Sequence, residues 1–270
     1  MDSIFSFKRF VKYLGYDIVN AKNYFGISLL ICGLMPAIVY LIFALFSLVF
    51  TGNVQGGGGF AQITSICISM VVVILCFPAK VYGSVTERRA GSSWTLLPAS
   101  VFEKWLSMLV VCCVVLPLCF GVLFFGVDGI MSLIVKGYPS PAINFLIDFK
   151  RTLSDFANDH SIMDLHIDYS WLLVLGWFDS ILVYLLGAVF FKKSKIAKTI
   201  LVLFALSMVA SVFLGSWINS GHVFVISSEM NLDEINFHLD RLNAFTYGYY
   251  IAIFVIVNVL IYLRLKTIKH

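Results

Sequence analysis

Apolar residues run through this chain in long blocks separated by short polar intervals. Six blocks are long enough to cross a bilayer core: roughly 25–50, 60–83, 104–126, 170–191, 197–218 and 244–264. A helix needs about 20 apolar residues for that crossing. Each block is bounded by charge, glycine or a polar loop. Pro36 and Pro117 fall inside blocks, where neighbouring helices tolerate a kink. The N-terminal segment follows another pattern, with Phe7, Phe10, Val11, Leu14, Ile18, Ala21 and Phe25 at helical spacing and Lys8, Arg9, Lys12 and Tyr13 between them. That period fits an amphipathic helix along a membrane surface, its apolar side in lipid and its basic side toward phosphates. The expected fold is an all-α membrane protein: an interfacial helix over 1–24 and a six-span transmembrane domain over 25–270.

Composition agrees with the pattern. Hydrophobic residues make up 60% of the chain and charged residues 13%, and mean hydropathy is +0.94. Soluble domains carry about 45–50% apolar and about 25% charged residues. The N-terminus has no continuous apolar core ending in a small-residue cleavage site, so the first span is expected to be retained. All six cysteines, Cys32, Cys67, Cys76, Cys112, Cys113 and Cys119, fall within apolar blocks without a metal-ligand spacing. They read as small buried hydrophobes.

Charge sets the orientation. Of the 19 Lys and Arg residues, only Lys136, Lys150, Arg151 and Arg241 would lie on one side of a six-span arrangement, and the other 15 opposite. The positive-inside rule then places both termini in the cytoplasm. Ten of the 15 acids fall in the two large outer loops, in agreement.

The interval "VTERRAGSSWTLLPAS", residues 85–100, becomes a cytoplasmic loop. Ser84 with Glu87, and Ser100 with Glu103, each fit the S-x-x-E capping box that opens a helix. Gly91 can end a short helix in the left-handed conformation, and Pro98 marks a break before the third span. Trp94, Leu96 and Leu97 form an apolar patch. A loop with this much structure, compared with the plain turn "KKSKIAK", suits a cytoplasmic partner, or Trp94 and Leu96 dipping among the lipid headgroups.

These features together resemble the permease subunits of ABC transporters of the type-2 family, whose members are mostly exporters. Glu87, Arg88, Arg89 and Gly91, then Leu96-Leu97-Pro98-Ala99-Ser100, then Lys104, follow the family's order between spans two and three. Arg88 and Arg89 stand where further acidic or polar residues are common in the family. The amphipathic "FSFKRFVKYLGYDIVNAKNYFG" also matches. The resemblance covers the first ~130 residues well and the remainder by span count. It implies that residues 84–97 form a coupling helix received by a separate ATP-hydrolysing subunit, with Glu87, Arg88, Arg89, Gly91, Trp94, Leu96, Leu97 and Pro98 at the contact. It also implies a second permease chain, identical or related, and a bacterial inner membrane as the location. ATP and magnesium would be used by the partner. This chain has no G-x-x-x-x-G-K-[ST] and no expected cofactor, nucleic-acid partner or enzymatic activity of its own. The run Gly56–Gly59, followed by Phe60, reads as a flexible outer connection.

Outside the loop, Asp179 in "GWFDSILVY" reads as the only acid within a span, and intramembrane acids mark pathways. Asn258 in the last span is a possible interhelical partner. In the first outer loop Asp164, His166 and Asp168 alternate, so on a strand they would share one face and could bind a divalent metal with Asp159 or His160. In the second, Asn231 and Glu234 suggest a capped helix with Leu232, Ile235, Leu239 and Leu242 as its apolar stripe. An intramembrane enzyme is disfavoured, because no histidine lies within a span and Asp179 has no acidic partner in another. An ion-coupled secondary transporter would show internal repeats and several buried ionisable groups. It stays as the alternative, beside a non-transporting scaffold or sensor subunit.

Overall fold

Lipid offers no water to free backbone N–H and C=O groups, so a chain this apolar crosses it as helices. The computed structural model describes residues 5–51, 58–86, 94, 96–135, 138–142, 144, 169–217 and 232–268, and these are helical apart from short turns. In order they are α1 (Phe7–Thr51), α2 (Gly58–Val81), a 3-10 turn (Gly83–Thr86), α3 (Val101–Val110), a π-helical turn (Val111–Val115), α4 (Leu116–Ile134), α5 (Tyr169–Phe190), α6 (Lys195–Trp217) and α7 (Leu232–Thr267). The π-turn joins α3 to α4 without a break, which makes six long helices. Among the described residues, five stretches are long and apolar enough to cross a membrane: Phe7–Phe50, Gly58–Thr86, Val101–Ile134, Lys195–Val212 and Ala244–Thr267. In α5 the apolar stretch Val174–Phe190 is shorter. The chain is a multi-pass helical membrane protein.

Three helices outrun the expected spans. The segment expected as an interfacial helix is continuous with the first span in a single helix of 45 residues. At 1.5 Å per residue it measures about 68 Å, against a hydrocarbon core of about 30 Å. One end must therefore stand outside the hydrocarbon, and Lys8, Arg9, Lys12 and Lys22 mark which. The third helix continues past residue 126 to Ile134, and α7 begins at Leu232, so the outer-loop helix and the last span are one. Gly58 and Gly59 open α2 rather than belonging to a connection.

The π-turn has a covalent cause. Pro117 has no N–H to offer the Cys113 carbonyl, so the regular i→i−4 ladder cannot pass through this point. Leu116 N–H donates instead to the Val111 carbonyl, five residues back.

Contacts at both ends show that consecutive helices alternate in direction. At one end Arg9 meets Glu103, Lys80 meets Ser28, Lys195 meets Gly83, and Arg264 stacks 5.4 Å from the Phe190 ring. At the other, Phe43 meets Phe60 and Tyr40 meets Tyr138. The start of α1 and the finish of α7 thus share the basic end. The core between them joins Phe25, Val73, Phe77, Met108, Phe124, Ile181, Leu185 and Ile261.

Lipid tails are as apolar as leucine, so close packing and polar contacts hold membrane helices together. Gly33 lets α1 approach α4: a Cβ there would stand 2.7 Å from Leu123 Cβ. Gly187 of α5 likewise makes room for Thr199 of α6. Beyond that contact α6 shows an exposed apolar surface, with Leu201, Phe204, Leu206, Val209 and Val212 all exposed.

Candidate functional site

The polar chemistry concentrates at the basic end, where the interval after α2 returns to α3. Ser100 caps α3, its hydroxyl accepting from Glu103 N–H at 3.2 Å while Ser100 N–H donates to Glu103 Oε2 at 2.8 Å. The capping box expected from S-x-x-E is formed. Residues 97–99 are bent and non-helical ahead of it, as Pro98 requires.

Glu103 does more than cap. It is fully buried, and its Oε1 accepts from Ser6 N–H at 2.7 Å and from an Arg9 guanidinium nitrogen at 3.2 Å. One carboxylate therefore fastens the start of α1 to the start of α3. Lys104, beside it, is buried too. Its Nζ donates to the Trp94 carbonyl at 2.7 Å and sits 4.5 Å from the centre of the Trp94 ring. This holds the far part of the interval down onto α3. Behind both, Asp17 accepts from Tyr82 Oη at 3.0 Å and from Ser107 Oγ at 2.7 Å, joining α1, the turn that follows α2, and α3 in the interior. Lys195, opening α6, donates to the Gly83 carbonyl.

The expected contact residues divide. Trp94 is half-buried and packs on the core. Leu96 is 82% exposed and Pro98 is exposed, while Leu97 is half-buried. Glu87, Arg88, Arg89 and Gly91 lie outside the described residues, as do Asp159, His160, Asp164, His166, Asp168 and Asn231. Ser84 sits in the 3-10 turn, where Thr86 Oγ1 donates to the Gly83 carbonyl at 3.1 Å.

The interior acids correct the reading that Asp179 is alone. Because the third helix runs on to Ile134, Asp128 is helical and fully buried rather than part of an outer loop. It accepts from Gln62 Nε2 at 3.1 and 3.2 Å, from Tyr138 Oη at 2.7 Å and from Ala142 N–H at 2.5 Å. Asp179 is 6% exposed, and neither of its oxygens has a hydrogen-bond partner among the described residues. Ser180 does not supply one, since its hydroxyl donates to the Gly176 carbonyl at 2.7 Å. Asn258, also buried, gives its amide to Phe254 O at 2.8 Å within its own helix, and does not bridge to a neighbour among the described residues.

Two further expectations change. Along the first helix the buried face is Phe10, Tyr13, Asp17, Ala21 and Phe25, while Phe7, Val11 and Ile18 are exposed. The four-residue steps of that face carry Tyr13 and Asp17, which a purely apolar stripe omits. Of the cysteines only Cys32 and Cys112 are buried; Cys67 and Cys119 are on the outside of their helices, and all six are free.

Comparison of the chain with protein-family models, with curated proteins and with solved structures gives no match.

Proposed function

We propose that the chain is the membrane-spanning permease subunit of an ABC transporter of the exporter-like type-2 kind, driven by a separate ATPase that docks on residues 84–97. Both termini would be cytoplasmic, in a bacterial inner membrane, with a second permease chain completing the pathway. The observation that carries the reading is the fastening of this interval at Lys104 and Glu103. A docking surface can transmit force only if its link to the membrane helices is stiff. Here Trp94 is tied to α3, α3 is capped, and the cap carboxylate also grips the start of α1. Leu96, 82% exposed, is the apolar residue free to meet the partner.

Purification from the native membrane in mild detergent should retain an ABC ATPase subunit, identified by mass spectrometry, together with ATP hydrolysis. Arg88→Asp, Arg89→Asp and Leu96→Asp should each reduce the retained ATPase at least several-fold, while Leu133→Asp at the opposite end leaves it in place. ATPase retention unaffected by the loop substitutions would overturn the assignment.

A second reading, an ion-coupled secondary transporter, is favoured by the buried carboxyl of Asp179, which has no hydrogen-bond partner among the described residues. A preparation that carries no ATPase yet accumulates ions across vesicles would select it.

A further inference from the structure

A carboxylate removed from water is tolerated when donors or a cation surround it. Asp17, Glu103 and Asp128 each receive two or more hydrogen bonds. Asp179 receives none among the described residues, though it is 6% exposed and sits in the interior of α5. Something else must neutralise it. A metal cation with oxygen ligands takes about six of them, and among the described residues no cluster of three or more His, Cys, Asp or Glu could hold one. A proton needs a single oxygen.

We propose that Asp179 is a proton-binding site within the membrane. Its carboxyl holds a proton while α5 packs against the π-turn and α7, and releases it when those elements part and water arrives. The step adds one proton to one carboxylate oxygen and moves no electrons. The π-turn is the apt neighbour for such a change. It is packed against α5, and single π-turns interrupt the regular ladder and recur at functional sites.

Among the described residues, the titratable groups on the elements packed against α5 place no cation in hydrogen-bond contact with Asp179. Cys113, on the π-turn, lies within electrostatic reach of Asp179. Tyr250 of α7 stands against Gly176, one turn away. Lys80, Lys195 and Arg264 are engaged at the basic end with Ser28, Gly83 and Phe190. The inference is independent of the ATPase reading, because the carboxyl requires neutralising whatever moves the helices.

Infrared spectroscopy of the full-length protein in lipid vesicles at neutral pH tests it. The native protein should show the C=O stretch of a protonated carboxylic acid, Asp179→Asn should lose that intensity, and Asp128→Asn should keep it. Intensity unchanged in Asp179→Asn overturns the proposal. Carbodiimide labelling of the native protein, mapped by mass spectrometry, removes any dependence on the variant's folding. Label on Asp179 that declines as pH rises supports the site. Reagent found on other carboxyls but never on Asp179 overturns it.

Discussion

Asp128 and Asp179 are both acids on long apolar helices, both buried, and their surroundings are opposite. Around Asp128 the chain brings a tyrosine hydroxyl, a glutamine amide and a backbone N–H, which together pin residues 138–142 to α2 and α4. Around Asp179 it brings none among the described residues. The first arrangement is a fastening: its charge is spread over donors that would otherwise be orphaned. The second stores no such contacts and leaves an oxygen able to change its state. Glu103 belongs with Asp128, since it spends its lone pairs on Ser6, Arg9 and Ser100.

Substitutions can break that contrast, beginning with the largest effect. Asp128→Ala leaves Tyr138 Oη, Ala142 N–H and Gln62 without their acceptor, each buried polar group costing about 1–3 kcal/mol. The loss should be about 3 kcal/mol or more, read as a lowered thermal midpoint in detergent. Glu103→Ala removes half of a capping box and the acceptor for Ser6 and Arg9, for a loss of about 2 kcal/mol. Lys104→Met should lose about 1 kcal/mol and release Trp94, seen as faster proteolysis in the 85–97 interval. Asp179→Asn should change the midpoint least, within about 0.5 kcal/mol. A cost for Asp179→Asn matching that of Asp128→Asn would show a partner for Asp179 and dissolve the contrast.

Five of the helices were legible because their apolar blocks are long enough to cross a membrane, whereas α5 holds a shorter apolar stretch, Val174–Phe190. Helix bounds moved mainly where polar residues continue a helix beyond the lipid. Asp128 shows why. Hydropathy ends the third span at Gly126, yet the helix persists while buried donors take up the acid. The S-x-x-E signature at Ser100 was readable, being local in sequence. The grip of Glu103 on Ser6 and Arg9, and of Asp17 on Tyr82 and Ser107, was not. Those partners stand 65 to 97 residues apart, and no periodicity records which helix faces which. The rotated face of α1 was missed for a related reason: Tyr13 and Asp17 are counted as polar by any stripe rule, although here they are interior. The four-residue steps through Tyr13, Asp17, Ala21 and Phe25, with Phe10 three residues ahead of them, were the available sign.

Placing a photo-crosslinking amino acid at position 96 in the intact membrane tests most directly whether the interval after α2 is where a driving ATPase docks. Leu96 is 82% exposed at the basic end, and Leu133, 87% exposed on α4, serves as the control. Illumination should join position 96, and not position 133, to an ABC ATPase subunit identified by mass spectrometry. Crosslinks from position 96 only to lipid, or an ATPase adduct equally frequent from position 133, would contradict the docking assignment.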